Sequence, residues 1–402
     1  MKLMTSMLAL LMLVAATAHA EEAEAPDRLM PEPLRDLGRS HKVRLIYFVP
    51  ADREPIDAWA ARIETLVTFA NDAIRRDLVE KGYEDAALDF EFDEADELVI
   101  HLVRGEHPTD HYSGAPDYNF RQQWVTVNTD VEAELGPPSE RVHLIFAETY
   151  DKQPAPHEWA GGNAQAAFLS ADTAVAMKSA WILRPEFTAT DIETQLELLF
   201  DDTPIEGRTA MGHGQPNSPR HHFIEDGFGA VVHELGHALS LYHDSRDGLY
   251  HMGNGFRQLR TRYRTDLPHD QRSRFSDDAA RMLVRSRFIS ESAHPKDLTP
   301  PRMTIRLLRQ PQSGDRDLRI HLEAEDDTAL AAFVFHVGAN DSVAIGGKLE
   351  GKSVTLDELR IGHPEIQPGQ QIHLQGRIVD EAGNFARLSL TLTVPDPAAD
   401  DS

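Results

Sequence analysis

The residues of this chain whose types and spacing could do chemistry lie in Val231-Val232-His233-Glu234-Leu235-Gly236-His237-Ala238-Leu239-Ser240-Leu241-Tyr242-His243-Asp244. His233 and His237 are four apart, so on an α-helix they share a face and can aim two imidazoles at one ion. Glu234 sits one step round that helix, where its carboxylate reaches a water on the metal without ligating it, the place of a general base. His243 comes six residues after His237, too far for the same helix to deliver it, so the chain must turn sharply near Ser240 and Leu241. Zinc held by three neutral imidazoles keeps a fourth position open to water, lowers the pKa of that water to about 7 and polarises a carbonyl beside it. The chemistry implied is hydrolysis. Phe228, Val231, Val232, Leu235, Ala238, Leu239 and Leu241 supply the buried surface around the ligand face.

These offsets resemble the metzincin clan of zinc metallopeptidases, whose signature is His-Glu-x-x-His-x-x-Gly-x-x-His followed by a methionine-containing turn. The three histidines and the glutamate match, whereas Ser240 stands where the clan has Gly. That glycine lets the backbone leave the helix in a conformation costly for other residues, so Ser240 must tolerate strain or the turn must be built differently. Met252, in Gly248-Leu249-Tyr250-His251-Met252-Gly253-Asn254-Gly255-Phe256, is the Met-turn candidate nine residues after His243; Met211 is on the wrong side of the helix to serve. Tyr250 and His251 are polar groups beside it. The resemblance makes Asp244 an alternative ligand or a residue supporting the ligands from behind. It further implies an α+β catalytic domain with a mixed sheet and long helices, a Zn2+ cofactor, a protein or peptide substrate, and a sheet edge that pairs with extended substrate. Gly161 to Leu169, Val175 to Met177 or Trp181 to Leu183 is expected to form that edge.

Lys2, the apolar run Met7 to Val14 and Ala18-His19-Ala20 read as a signal peptide over 1–20, and the acidic 21–40 as a flexible leader that could also lie across the site. Export without a single cysteine excludes disulfides and cysteine-switch latency, and points to a bacterial periplasmic or secreted protein. A formal charge of −26 disfavours nucleic acid or anionic membrane as partner, and no later stretch is long and apolar enough to span a bilayer.

A catalytic domain is expected over 41–292. Its elements are a buried strand at Val43 to Val49, a long helix from Ile56 to Gly82, strands at Leu88 to Phe92, Leu98 to Val103 and Val142 to Phe146, and helices at Phe120 to Leu135 and Ile192 to Phe200. Thr209 to His222 reads as a loop whose His213, His221 and His222 are solvated rather than a second metal site. Arg257, Arg260, Arg262, Arg264, Arg272 and Arg274 are expected to pair internally with carboxylates, and Ser276 to cap a helix ending the domain. After a linker over 293–301 the period changes to alternation, giving about seven short strands over 302–395, an immunoglobulin- or fibronectin-like β-sandwich of unknown partner, then a tail over 396–402.

The sequence thus reads as an exported zinc metallopeptidase with His233, His237 and His243 as ligands, Glu234 as base and Met252 as a hydrophobic floor. Two other readings remain open: a zinc-containing binding or adhesive protein without turnover, and a zinc hydrolase of a non-peptide amide or ester.

Overall fold

A computed structural model describes residues 28–113, 120–150, 164–165, 174–210, 212, 215–337 and 343–395. The expected signal peptide and the C-terminal tail lie outside the described residues. The first strand, β1 (Lys42–Val49), buries Leu45 to Val49 completely, as a strand covered on both faces requires. It pairs in parallel with β2 (Ile100–Arg104) on one side and β3 (Arg141–Ala147) on the other. With β4 (Ala164–Gln165) and β5 (Val175–Ser179) the sheet runs in the order β2-β1-β3-β5-β4, and only the edge strand β4 is antiparallel. The expected mixed sheet with an edge strand from this part of the chain is therefore present, with most of Gly161 to Leu169 outside the described residues.

Helix α1 (Trp59–Glu80) is the long helix expected and lays Phe69 against Phe228 and Tyr263, with ring centroids 5.8 and 5.1 Å apart. The short α2 (Thr109–Ser113), then α3 (Phe120–Leu135) and α4 (Ile192–Leu199), complete this half ahead of the histidine-bearing segment.

One expected strand does not form, and one of the three stretches offered for the sheet edge is not extended. Leu88 to Phe92 makes only isolated bridges, Phe90 to Val43 and Phe92 to Leu98. The Asp89 carbonyl accepts the Val43 N–H (2.7 Å), but from Leu45 onward that side of β1 is paired with β2, so no ladder extends; the buried Asp89 carboxylate accepts the N–H groups of Leu37 and Arg39 (3.0 and 2.8 Å). Trp181 to Leu183 belongs to a 3-10 turn, Ala180–Leu183, capped by Ser179. The leader also departs from expectation over 28–40. The Leu29 N–H donates to the Tyr263 carbonyl (2.9 Å), and Glu32 meets both Arg75 (2.6 Å) and, through its N–H, Asp72 (3.1 Å), so this stretch is pinned along α1 rather than flexible or laid over the histidines.

The second half is the expected sandwich of seven strands: β6 (Arg302–Leu307), β7 (Asp317–Glu325), β8 (Leu330–Val337), β9 (Val343–Lys348), β10 (Ser353–Gly362), β11 (Gln371–Asp380) and β12 (Phe385–Thr393). They form antiparallel sheets ordered β10-β7-β6 and β12-β11-β8-β9. Leu318, Ile320 and Leu322 of β7 meet Phe333 and Phe335 of β8 between the sheets, the alternation that period-two patterning requires. The sandwich is no detached spacer. Ala331, Ala332 and Val334 of β8 and Val379 of β11 join the core of the first half, against the region of the Ser276-capped helix. Among the described residues no helix is long and apolar enough to cross a membrane.

Candidate metal centre

The helix that carries the histidines starts earlier than its apolar pattern suggests. α5 (Arg220–Ile224) runs through a π-helical turn, Glu225–Gly229, into α6 (Ala230–Ala238). His221 and His222, expected in a loop, are thus helical, and His221 Nδ1 lies 3.1 Å from Asp202; His213 lies outside the described residues. The π-turn brings Gly229 against Phe256, where a Cβ would stand 1.9 Å from the Phe256 carbonyl oxygen, so no other residue fits without displacing backbone.

α6 stops where the spacing demands. The N–H groups of Ser240 and Leu241 donate to the carbonyls of His237 and Gly236 (both 2.8 Å), which is the paired closure of a Schellman motif. Ser240 occupies its left-handed position at φ 74°. The strain foreseen from its replacing glycine is therefore present, and the chain reverses to bring His243 back.

Three imidazoles converge. His237 Nε2 lies 3.1 Å from both His233 Nε2 and His243 Nε2. His233 Nδ1 faces the carbonyl of His251 (2.7 Å) and His237 Nδ1 that of Leu241 (3.0 Å). A carbonyl can only accept, so Nδ1 carries the proton in both rings and Nε2 presents a lone pair. Lone pairs held this close repel unless a cation sits between them, and three imidazoles, two of them with Nδ1–H anchored to carbonyls, are a donor set that fits zinc. Burial pushes the His233 imidazole down to about 3 and holds His237 well below the usual histidine range, keeping both rings unprotonated as ligation needs.

Glu234, nearly buried, opens with His233 and His243 onto a cleft of about 420 Å3 that is also lined by Asp226, Phe256 and Arg257. Met252 is fully buried beneath, and its sulfur explains Gly236: a Cβ there would lie 2.4 Å from Met252 Sδ. The Met252 carbonyl accepts the Asp244 N–H (2.9 Å), tying the turn to the third histidine. His251 contributes its carbonyl to His233, while its own ring packs on Phe275. Tyr250 lies under the Arg274 guanidinium, whose carbon is 5.4 Å from its ring centroid. The Asp244 carboxylate is wholly buried and is engaged by Arg246 through Nε and Nη2 (2.8 and 2.6 Å), with Arg246 bridging on to Asp278 (3.0 Å).

Composition and spacing did not single out Lys178 or Asp226. Lys178, fully buried on β5, has its ammonium pushed down to about 7 by burial, against the opposing pull of Glu234 and Asp226. Its signal was a cation ending the apolar run Val175-Ala176-Met177. Asp226 lies 3.2 Å from Arg257, whose guanidinium stacks 4.2 Å over Phe256. The other arginines of the basic run pair internally as expected, Arg260 with Asp202, Arg262 and Arg272 with Glu80, Arg264 with Asp266, and Arg274 with Asp247.

Fold and site together define a two-part α+β protein with a three-histidine centre and an adjacent carboxylate. No family model matches the sequence, and no curated protein does. Solved structures do: wild-type OgpA from Akkermansia muciniphila has a TM-score of 0.59 at 14% identity, with 91% of this chain and 96% of that chain covered. A catalytically inactive OgpA in complex with an O-glycopeptide (glycodrosocin) substrate gives 0.58 at 14% identity, over 91% and 95%. At such identity the likeness is one of fold, and it spans both halves.

Proposed function

We propose that this chain is an exported zinc-dependent peptidase of metzincin type, with His233, His237 and His243 holding the metal and Glu234 as the general base. The convergence of three imidazoles, with His237 Nε2 3.1 Å from each of the other two, beside a cleft-facing carboxylate supports this reading. Zinc, when bound, would supply a Lewis acid that acidifies water and polarises the scissile carbonyl. Glu234 takes the proton from the attacking water and returns it to the leaving nitrogen, so one carboxylate serves both half-reactions. Met252 fixes the floor on which the histidine helix rests, and Asp244 acts through Arg246 to hold the segment after His243 rather than as a ligand. Lys178 sits where its charge bears on Glu234.

The OgpA complex makes O-glycosylated peptides the substrate class to try first. The test is zinc analysis of the purified protein with a chelator-sensitive assay on a matched pair of peptides, one O-glycosylated and one bare. Glu234→Gln is expected to keep its zinc and lose activity by about 10²–10⁴-fold. A protein that carries no zinc, or whose turnover survives Glu234→Gln, sinks the proposal; cleavage of esters but of neither peptide would favour a non-peptide hydrolase.

A further inference from the structure

The segment between the second and third histidines is held from outside its own domain. Ser240 is left-handed without being glycine, so the turn needs an external restraint to stay populated. Its two exposed-end carbonyls are both used: Leu241 O orients His237, and Ser240 O accepts a hydrogen bond from Arg377 Nη1 of β11. The next residue, Tyr242, lies against the same guanidinium, with the Arg377 carbon 3.8 Å from its ring centroid, and against His336 of β8 at 4.1 Å. His336 Nε2 is in turn bonded to Gln375 Oε1 (3.2 Å), its registered partner on β11. Arg377, His336, Tyr242 and Ser240 are all buried.

We propose that the β-sandwich is a working part of the metal centre, with Arg377 and His336 clamping Ser240 and Tyr242 so that the next residue, His243, is presented to the metal. This rests on the reading of His243 as a ligand. Arg377 is a positioning residue: a cation near His237 repels another cation, so its contribution to metal binding is geometric and not electrostatic. Covering this turn with a sandwich makes the second domain a requirement of the site, whatever else that domain contacts.

The experiment uses the full chain and competes zinc against a chromophoric chelator, with the visible spectrum of the cobalt-substituted protein as a second readout. Arg377→Met is expected to bind zinc about 10–100-fold more weakly and to shift the cobalt bands, because a support behind the ligands has been removed. Glu381→Ala, which breaks the pair between Arg285 and Glu381 (2.7 Å) at the same junction, is expected to lower the melting temperature and leave zinc affinity and cobalt spectrum unchanged. If Arg377→Met does not fold, Arg377→Lys, which keeps a donor for Ser240 but loses the flat stack on Tyr242, carries the same measurement with a smaller loss. Zinc affinity within twofold of wild type in the Arg377 variant, or an equal loss in Glu381→Ala, overturns the inference while leaving the peptidase reading intact. Wild-type protein that binds no zinc overturns both.

Discussion

Ser240 offers the sharpest test of how this site is built. At φ 74° it adopts a conformation that costs an L-residue roughly 1–2 kcal/mol, and its N–H closes the helix onto His237. Ser240→Gly removes that cost but gives back about 0.4–1 kcal/mol through the greater freedom of glycine in the unfolded chain. The difference leaves about 0.5–1 kcal/mol of net stabilisation, which for a cooperative unit of this size is a rise of roughly 1–4 °C in melting temperature. Ser240→Val places a branched side chain in the same conformation and adds crowding at a buried position, so it is expected to lower the melting temperature. Calorimetry on chelator-treated protein reads the backbone effect free of metal linkage, and a zinc titration then shows whether His243 has moved. A fall in melting temperature for the glycine variant, or indifference to valine, would refute the left-handed turn and with it the route by which the third imidazole returns.

Two further perturbations probe burial and charge. His143 is fully buried on β3 with neither ring nitrogen hydrogen-bonded, and burial pushes it down to about 4. Because the folded value lies below the ordinary 6.5, the unfolded chain takes up a proton that the fold refuses, so stability present above 6.5 is lost as pH falls toward 4. His143→Leu should therefore raise the melting temperature and shrink the difference between pH 7 and pH 5 in chelated protein; an unchanged difference would show the ring is not held neutral. Asp244→Asn halves a buried bidentate pair and is expected to cost about 1–3 kcal/mol, less than for a fully buried pair because the Arg246 side chain is 35% exposed. Its zinc content should stay at the wild-type ratio, and loss of the metal altogether would make Asp244 a ligand after all.

Local spacing was enough to bring His233, Glu234, His237 and His243 together and to require a turn before His243, because each follows from helix geometry within a dozen residues, whereas the strain at Ser240 was implied by the resemblance to a motif with glycine there. The β-sandwich was legible for the same reason, alternation being a local signal. What escaped was set by partners distant in sequence. Glu225, Asp226, Gly227 and Gly229 interrupt apolar periodicity, which hides a helix running from Arg220 to Ala238, yet each meets a partner from elsewhere in the chain: Glu225 with Arg260, Asp226 with Arg257, Gly227 against Ile182 and Gly229 against Phe256. Leu88 to Phe92 fails to become a strand because β2, from later in the chain, takes the edge of β1 from Leu45 onward. β8 is an almost unbroken apolar run, which is what a strand covered on both faces needs, and its second face packs on the core of the first half.

His233 and His237 are oriented by carbonyls from two different returns of the chain to the helix. His233 depends on the carbonyl of His251, whose own N–H is bound to Arg274 O (2.7 Å) beyond the Met-turn. His237 depends on Leu241 within the Schellman turn, and the segment after His243 depends on Met252 O and Arg246. If the three histidines hold a metal as proposed, weakening the Leu241 contact alone should lower affinity by a graded amount, whereas a shift of the 251–252 turn should disturb both His233 and the segment after His243. That distribution also explains why a serine can replace the glycine the motif ordinarily places at the turn. The strain at one position is borne by contacts on β8 and β11, so the departure from the motif and the close docking of the sandwich are two sides of one structural solution.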